Sequence, residues 1–403
     1  MRIEHTQGYI ALEDRYNAHN YNPLDVVIEK AQGPWVWDVE GHKYLDCLSA
    51  YSAVNQGHCH PRIVEAMIEQ APKLALTSRA FRNDQLPLLA KEVCQLLGYE
   101  MMLPMNSGSE AVETALKAAR KWGYYVKGVP DGQAQIIACS GNFHGRTISV
   151  VSLSPNEQYR DGFGPFTPGF KLVTYGDADA LDRAVTENTV AFLFEPVQGE
   201  GGVVVPPRGY LRRVREICTR RNVLMIADEI QSGLGRTGEL LACEHEGVKP
   251  DVVTLGKALS GGMYPVSAVL SSREVLGVFR PGDHGSTFGG NPLACAVARE
   301  ALKVIVDEDL CQRSAELGAY LISRLRTVDS PHVRQCRGKG LFVGIVLQPA
   351  AGGARRFCEA LRERGVLAKD TRGNVIRLAP PLVISKEELD WGLERIQDVL
   401  MMD

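Results

Sequence analysis

The sequence predicts an α/β fold: a mainly parallel sheet covered by helices on both faces, followed by a smaller domain of mixed α and β character. Three observations carry this reading. Between residues 60 and 306, short apolar runs alternate with stretches of helical spacing. The runs are nearly continuous in apolar residues rather than alternating, the pattern of strands buried on both faces. From about residue 308 longer helices with two isolated strand signals take over, so a second, smaller domain is expected.

In chain order, residues 1–50 read as an irregular arm followed by short strands. Val26–Glu29 and Trp35–Asp38 are rich in β-formers, with turns at Gly33-Pro34 and Glu40-Gly41. Apolar spacing predicts helices at 61–70 and 85–97. Strands are expected at Met101–Pro104, Gln135–Cys139, Ser149–Leu153, Lys171–Thr174, Val190–Phe194, Val223–Ala227, Val252–Leu255 and Val266–Leu270, with helices at 111–122, 210–221 and 292–306 among them. The tail carries helical spacing at 310–327, 352–364 and 386–401, and strands at Leu341–Val346 and Val375–Leu378.

Composition excludes several function classes. The chain has 403 residues, 45% hydrophobic and 23% charged, which rules out a disordered or fibrous protein. The 45 basic and 48 acidic residues leave a net charge of −3, with no basic surplus for nucleic acid or an anionic membrane. No apolar run reaches membrane length; Asp228 and Glu229 cut off even Val223–Ala227. Ten cysteines without a C-x-x-C pair read as reduced thiols. The start, Met1–His5, carries neither an apolar signal core nor an Arg-rich, acid-poor transit pattern, so the cytoplasm is the expected location.

Three motifs are decoys. Gly233-Leu-Gly235-Arg-Thr-Gly238 matches a dinucleotide fingerprint, but Asp228–Ser232 separate it from the strand, and position 258 is Ala where an acid is wanted. Gly256-Lys257 fails as a phosphate-binding P-loop because Ala258 follows and Asp251 stands at the first glycine position. His58-Cys59-His60 offers at most two imidazoles to one ion, with no third ligand cluster nearby, so no metal is expected.

Chemistry gathers at three strand ends. Asn106-Ser107-Gly108-Ser109-Glu110 opens a helix with small side chains and free N–H groups, suited to phosphate. Taken alone it also reads as a capping box, Ser107 with Glu110. Asp228 ends a buried strand, where a carboxylate needs a cation or strong donor; an N-cap or structural ion pair would also explain it. Lys257 directly follows an apolar strand, and burial lowers a lysine pKa from about 10.4 toward the range where the amine attacks an aldehyde. A snorkelling structural lysine is the plain alternative. Together, a phosphate cradle, a buried acid and an imine-forming lysine at strand carboxyl ends suggest pyridoxal 5'-phosphate.

With Asn142-Phe-His-Gly-Arg146, Glu195-Pro-Val-Gln-Gly-Glu200, Asp228-Glu-Ile-Gln231 and Gly256-Lys-Ala-Leu-Ser-Gly-Gly262, the sequence resembles the class III pyridoxal-phosphate aminotransferases over nearly its whole length. His19–Pro23, Ser49–Pro61, Leu76–Phe81 and His284–Gly290 resemble the ornithine aminotransferase branch. The resemblance implies the type I fold: a mainly parallel seven-stranded sheet in a large domain, 52–307, with a small α+β domain at 308–403 joined by residues 1–51. It implies catalysis by Lys257 and Asp228. Ser107, Gly108, Ser109, Phe143, His144, Gln231, Ser286 and Thr287 would complete the cofactor site, Thr287 reaching across a homodimer. Arg146 would pair with the carboxylate of ornithine bidentately and Tyr21 would hold its α-amine, with Tyr51 lining the same end. Arg377 would take the second carboxylate of glutamate or 2-oxoglutarate, and Glu200 would neutralise it while ornithine is bound. The implied reaction moves the δ-amine of ornithine to 2-oxoglutarate; donors such as acetylornithine, lysine or 4-aminobutyrate are the sibling possibility. His144, where several ornithine enzymes have Trp, Arg82-Asn83-Asp84 and the Gly201-Gly202 pair depart from the commonest form.

Overall fold

The computed structural model describes residues 5–402, so the reading of the first residues falls partly outside them, at 1–4. Three sheets form the frame. Strands β1 (Ile28–Gln32), β2 (Trp35–Asp38) and β3 (Lys43–Asp46) make an antiparallel set. The large sheet holds β4 (Met101–Met105), β5 (Gln135–Cys139), β6 (Phe170–Val173), β7 (Thr189–Phe194), β8 (Leu224–Asp228), β9 (Val252–Leu255) and β10 (Ser267–Ser271). In the tail lie β11 (Val333–Lys339), β12 (Phe342–Leu347), β13 (Val366–Leu367), β14 (Lys369–Thr371) and β15 (Val375–Leu378).

The large sheet has the order β4-β10-β9-β8-β7-β5-β6. Only β10 is reversed, pairing antiparallel with both β4 and β9, and the other pairs are parallel. Alternate side chains explain the continuous apolar runs. Ile136, Ala138, Ala191, Leu193 and Ile226 join one core cluster with the helix Gly108–Trp122, while Ile137, Cys139, Phe192, Phe194 and Met225 join another on the opposite face. Each strand is buried on both sides, so neither parity can be polar. Because the parallel strands share one direction, their carboxyl ends meet along one edge, where ligands of α/β sheets bind.

The tail strands β11-β12-β15-β14 form an antiparallel sheet. Residue pairs Val366↔Leu45 and Leu367↔Asp46 attach β13 to β3 in parallel, so the first sheet is completed by the C-terminal part of the chain.

Three expectations need correction. Ser149–Leu153 is not a strand: Ile148–Ser152 is one helical turn. Its β-branched residues favour extended structure, but β5 is already flanked by β6 and β7, and no edge is left beside it. The turn instead packs Val150 and Leu153 with Ala111 and Leu116, and Ser152 Oγ donates to the Ile148 carbonyl at 2.8 Å. Second, the arm is not wholly irregular, because Thr6–Tyr16 is a helix, with none of its residues buried. Third, β3 and β11 carry too many polar residues, in Lys43-Tyr-Leu-Asp46 and Val333-Arg-Gln-Cys-Arg-Gly-Lys339, for their apolar pattern to be read; tertiary pairing defines them.

Candidate active site

Where β4 ends, Ser107 caps the helix Gly108–Trp122: its hydroxyl accepts from Glu110 N at 3.2 Å, and Glu110 Oε2 accepts from Ser107 N at 2.9 Å. The capping box and the cradle coexist. Ser107 and Glu110 satisfy their own amides, while the N–H groups of Gly108 and Ser109 have no acceptor among the described residues. Two free amides at the positive end of a 15-residue helix are suited to an anion.

Asp228, the last residue of β8, is buried. Its Oδ1 accepts from Thr254 Oγ1 at 3.1 Å and Ile230 N at 3.2 Å, and its Oδ2 from His144 Nδ1 at 2.7 Å. Oδ2 keeps a free lone pair for one further donor. Burial alone would lower the His144 pKa; the hydrogen bond to Asp228 and that residue's charge outweigh it, and the value is raised. Thus His144 stands behind the acid, and its buried Nε2 has no partner. Next to it, Glu195 Oε1 accepts from Phe143 N at 2.9 Å and Oε2 from Gly199 N at 3.2 Å. Burial pushes the Glu195 carboxyl up to about 7. As a polar residue at the end of β7 it gave the same signal as Asp228, yet sequence reasoning did not single it out.

Lys257 opens a short turn just past β9, in the left-handed region at φ +45. Its ammonium has no hydrogen-bond partner among the described residues. Burial lowers its pKa to about 8, with Asp228 opposing. Lys257, Asp228, Gln231, Phe143, His144, Glu195 and Ser107–Ser109 line one cavity.

Arg377 on β15 is fully buried. Its Nη1 meets Glu200 Oε1 at 2.6 Å, while Nε and Nη2 have no partner. The guanidinium lies 5.2 Å from the Tyr51 ring centre and 5.1 Å from that of Phe342. Gln231 Nε2 donates to the same Glu200 oxygen at 3.3 Å, and its buried Oε1 is free. Burial would raise the Glu200 pKa, but Arg377 and Gln231 hold it below the ordinary value. The plain alternative of a surface ion pair does not describe this contact.

Tyr51 reaches Arg377 through a turn that sequence reasoning did not foresee. Ser49, Ala50, Tyr51 and Ser52 all have positive φ, between 47 and 73°, a left-handed turn costing about 1–2 kcal/mol per residue. Long-range bonds hold it: Ser49 Oγ donates to Ala379 O at 2.6 Å, and Asp46 Oδ1 accepts from Leu48 N and Ser49 N. His58 donates to the other oxygen of Asp46, and His60 pairs with Glu308, so the two imidazoles serve separate carboxylates. Such strain collects at functional sites.

The remaining candidates do not line that cavity. Arg146 is exposed, without a carboxylate partner among the described residues, over the rings of Tyr159 at 4.3 Å and Phe143 at 5.8 Å. Tyr21 lies in the arm and is 70% exposed. Thr287 is exposed, and Ser286 Oγ accepts from Asn106 Nδ2 at 2.7 Å; neither lines the cavity of its own chain. In the glycine decoy, Arg236 is fully buried and donates to Asn55 Oδ1 and the carbonyls of Leu341 and Pro380. That loop is a joint between chain segments.

The donor set fits pyridoxal phosphate. Two free amides suit the phosphate, a carboxylate oxygen with spare capacity suits the ring nitrogen, an unpartnered amide oxygen suits the ring hydroxyl, and an unpaired amine suits the aldehyde. No group of three metal-ligating side chains occurs among the described residues.

Comparison with known proteins agrees in kind. The sequence profile described as Aminotransferase class-III matches residues 16–400. An ornithine aminotransferase of Bordetella pertussis is 59% identical over 389 residues, 96% of this chain and 94% of that one. A solved ornithine aminotransferase from Toxoplasma gondii, with PLP partly occupying its active site, superposes with a TM-score of 0.98 at 46% identity, covering 99% of this chain and 95% of that one. An acetylornithine aminotransferase from Elizabethkingia anophelis gives a TM-score of 0.90 at 49% identity, covering 99% of each.

Proposed function

The chain belongs to the class-III aminotransferase family, and from that premise we propose that it transfers the δ-amino group of L-ornithine to 2-oxoglutarate, giving glutamate 5-semialdehyde and glutamate, with pyridoxal phosphate as cofactor. The observation that carries this reading is the buried Arg377, closed by Glu200 and still offering two free N–H groups. Such a pair answers the chemical problem of two unlike substrates. Ornithine presents an ammonium and must not meet a bare cation at the reacting end; a dicarboxylate needs that cation.

Gly108 and Ser109 would hold the phosphate and Asp228 the protonated ring nitrogen, with His144 donating to Asp228 from behind. When bound, the cofactor supplies an electron sink for the carbon that loses its proton. Lys257 Nζ would move that proton, being the one amine that lines the cavity. Phe143 would stack on the ring and Gln231 Oε1 would accept from the ring hydroxyl. Arg146 would bind the ornithine carboxylate in a bidentate pair, with Tyr21 and Tyr51 at the α-amine. Glu200 covers Arg377 for ornithine and leaves it for the dicarboxylate.

The reading includes a homodimer, in which Ser286 and Thr287 complete the partner's phosphate site, and a cytoplasmic setting. Exposed Thr287 and Phe288 outside their own cavity support the first, and no described helix is long and apolar enough to cross a membrane.

The likeness to an acetylornithine aminotransferase favours one second reading. An acylated α-nitrogen has no ammonium for Tyr21 to meet, so a side-by-side assay of ornithine, acetylornithine, lysine and 4-aminobutyrate with 2-oxoglutarate decides between them. Ornithine is expected to be the best donor; a clear preference for acetylornithine would overturn the proposal.

A further inference from the structure

Gly199, Gly201 and Gly202 surround Glu200, and such a segment is free to take many conformations. In the structure it is pinned from outside. The Glu200 carbonyl accepts from Thr371 Oγ1 at 3.0 Å and from Arg372 Nε at 3.1 Å. Arg372 Nη2 also donates to Gly141 O at 3.2 Å, on the segment leading to Phe143 and Arg146. Arg337 holds the Gly202 carbonyl through Nη2 at 2.7 Å and Nε at 3.2 Å.

Thr371 and Arg372 lie where β14 turns toward β15, the strand that carries Arg377. One hairpin therefore grips Glu200 at both ends, by its carbonyl and by its carboxylate. Arg372 has φ +51, a conformation disfavoured for a residue with a Cβ, and its guanidinium bridges two loops of the site.

We propose that Thr371 and Arg372 are positioning residues for substrate selection, fixing the Glu200 main chain to the hairpin that bears Arg377. Opening is then a rotation of the Glu200 side chain, not a departure of the loop. The anchor keeps the carboxylate at high effective concentration beside Arg377, so it sets how readily a substrate carboxylate displaces it. A looser loop would leave Arg377 uncovered more often, favouring dicarboxylates and weakening the preference for ornithine. The inference rests on the two-substrate reading above.

The test uses cofactor-loaded protein and two readouts. Glutarate, an unreactive dicarboxylate, reports the exposure of Arg377 through its dissociation constant by calorimetry. Single-turnover rates with ornithine and with glutamate give the selection ratio. Arg372→Ala is expected to bind glutarate about tenfold more tightly and to lower the ornithine-to-glutamate ratio about tenfold, the scale of one lost charge-assisted hydrogen bond. Thr371→Val should move both readouts in the same direction by a smaller factor, and Thr371→Ser should restore them. Glutarate affinity and ratio unchanged within about twofold in both Arg372→Ala and Thr371→Val, or rates with the two substrates falling in parallel, would overturn the inference. If the unaltered protein is inert toward ornithine, the two-substrate reading fails first and takes the inference with it.

Discussion

His144 Nδ1 lies 2.7 Å from Asp228 Oδ2, and both side chains are buried at the carboxyl edge of the large sheet. Asp228 is thereby fixed by three donors, one on Oδ2 and two on Oδ1, leaving capacity for a single further donor. His144→Phe removes the charge-assisted member of the set, worth about 1.5–3 kcal/mol. The dissociation constant for pyridoxal phosphate, measured by equilibrium dialysis, should rise at least about tenfold. Unchanged retention would reduce His144 to a packing residue. The folded pKa of His144 is raised, so its contribution to stability is complete below the unfolded value near 6.5 and is lost as pH rises through the folded value. That slope should vanish in His144→Phe.

Lys257 is predicted to titrate near 8 in cofactor-free protein, where an ordinary lysine titrates near 10.5. Aldehyde labelling with borohydride, followed by peptide mapping across pH, should show an inflection near 8 at this residue, apart from that of the chain's α-amino group. The stability sign follows from the lowered value. Between 8 and 10.5 the unfolded chain binds the extra proton, so stability rises with pH across that window, and below it the buried charge costs stability. Cofactor-free Lys257→Met should therefore be more stable than the unaltered protein at pH 7, by on the order of 1–3 kcal/mol. A melting temperature no higher than the parent's would contradict this.

Lys257→Ala should still retain cofactor through the amides of Gly108 and Ser109 while losing nearly all turnover. Substantial steady-state turnover in that variant would remove Lys257 from the mechanism.

Arg377→Met leaves the partly buried Glu200 carboxylate without its cation, at a cost of about 1–3 kcal/mol in stability. The half-reaction with glutamate should slow about 100-fold or more, with the ornithine half-reaction less affected. Glu200→Ala should act the other way, tightening dicarboxylate binding and weakening discrimination between the two ends of ornithine. Single-turnover rates and product analysis check both, and equal losses with the two substrates would count against the assignment.

Ala50→Gly probes the left-handed turn. Glycine takes φ +47 without steric cost, so stability should rise by up to about 1 kcal/mol after its greater unfolded entropy is counted. A thermal melt reads this directly. A clear loss would mean that the Ala50 methyl group matters more than the backbone strain.

Legibility varied with the range of the forces involved. The strands β7, β8 and β9 could be read from their apolar runs because burial on both faces leaves a local mark. The helix start at Ser107–Glu110 was legible for the same reason, since a capping box closes within four residues. The run Ser149–Leu153 misled because its propensity is extended while the places on both sides of β5 were already taken by β6 and β7. Strand β11 was missed because partners rather than composition define it. Glu195 gave a local signal that went unweighed, and His144 could be expected near a cofactor without its position behind Asp228 being visible.

The alternation of strands and helices is written in the order of residues, as are the small residues, the acid and the lysine directly after particular strands. Those are properties of neighbouring residues, written in periodicity and turn chemistry. Only the packed chain pairs Glu200 with the buried Arg377, 177 positions away, and lets one hairpin hold Glu200 by both its carbonyl and its carboxylate. It also decided the left-handed turn under Tyr51, which short-range sterics oppose and bonds from distant residues such as Ala379 sustain. Strain and buried charge both cost free energy locally, so a segment cannot reveal them; only the packed chain supplies what offsets them.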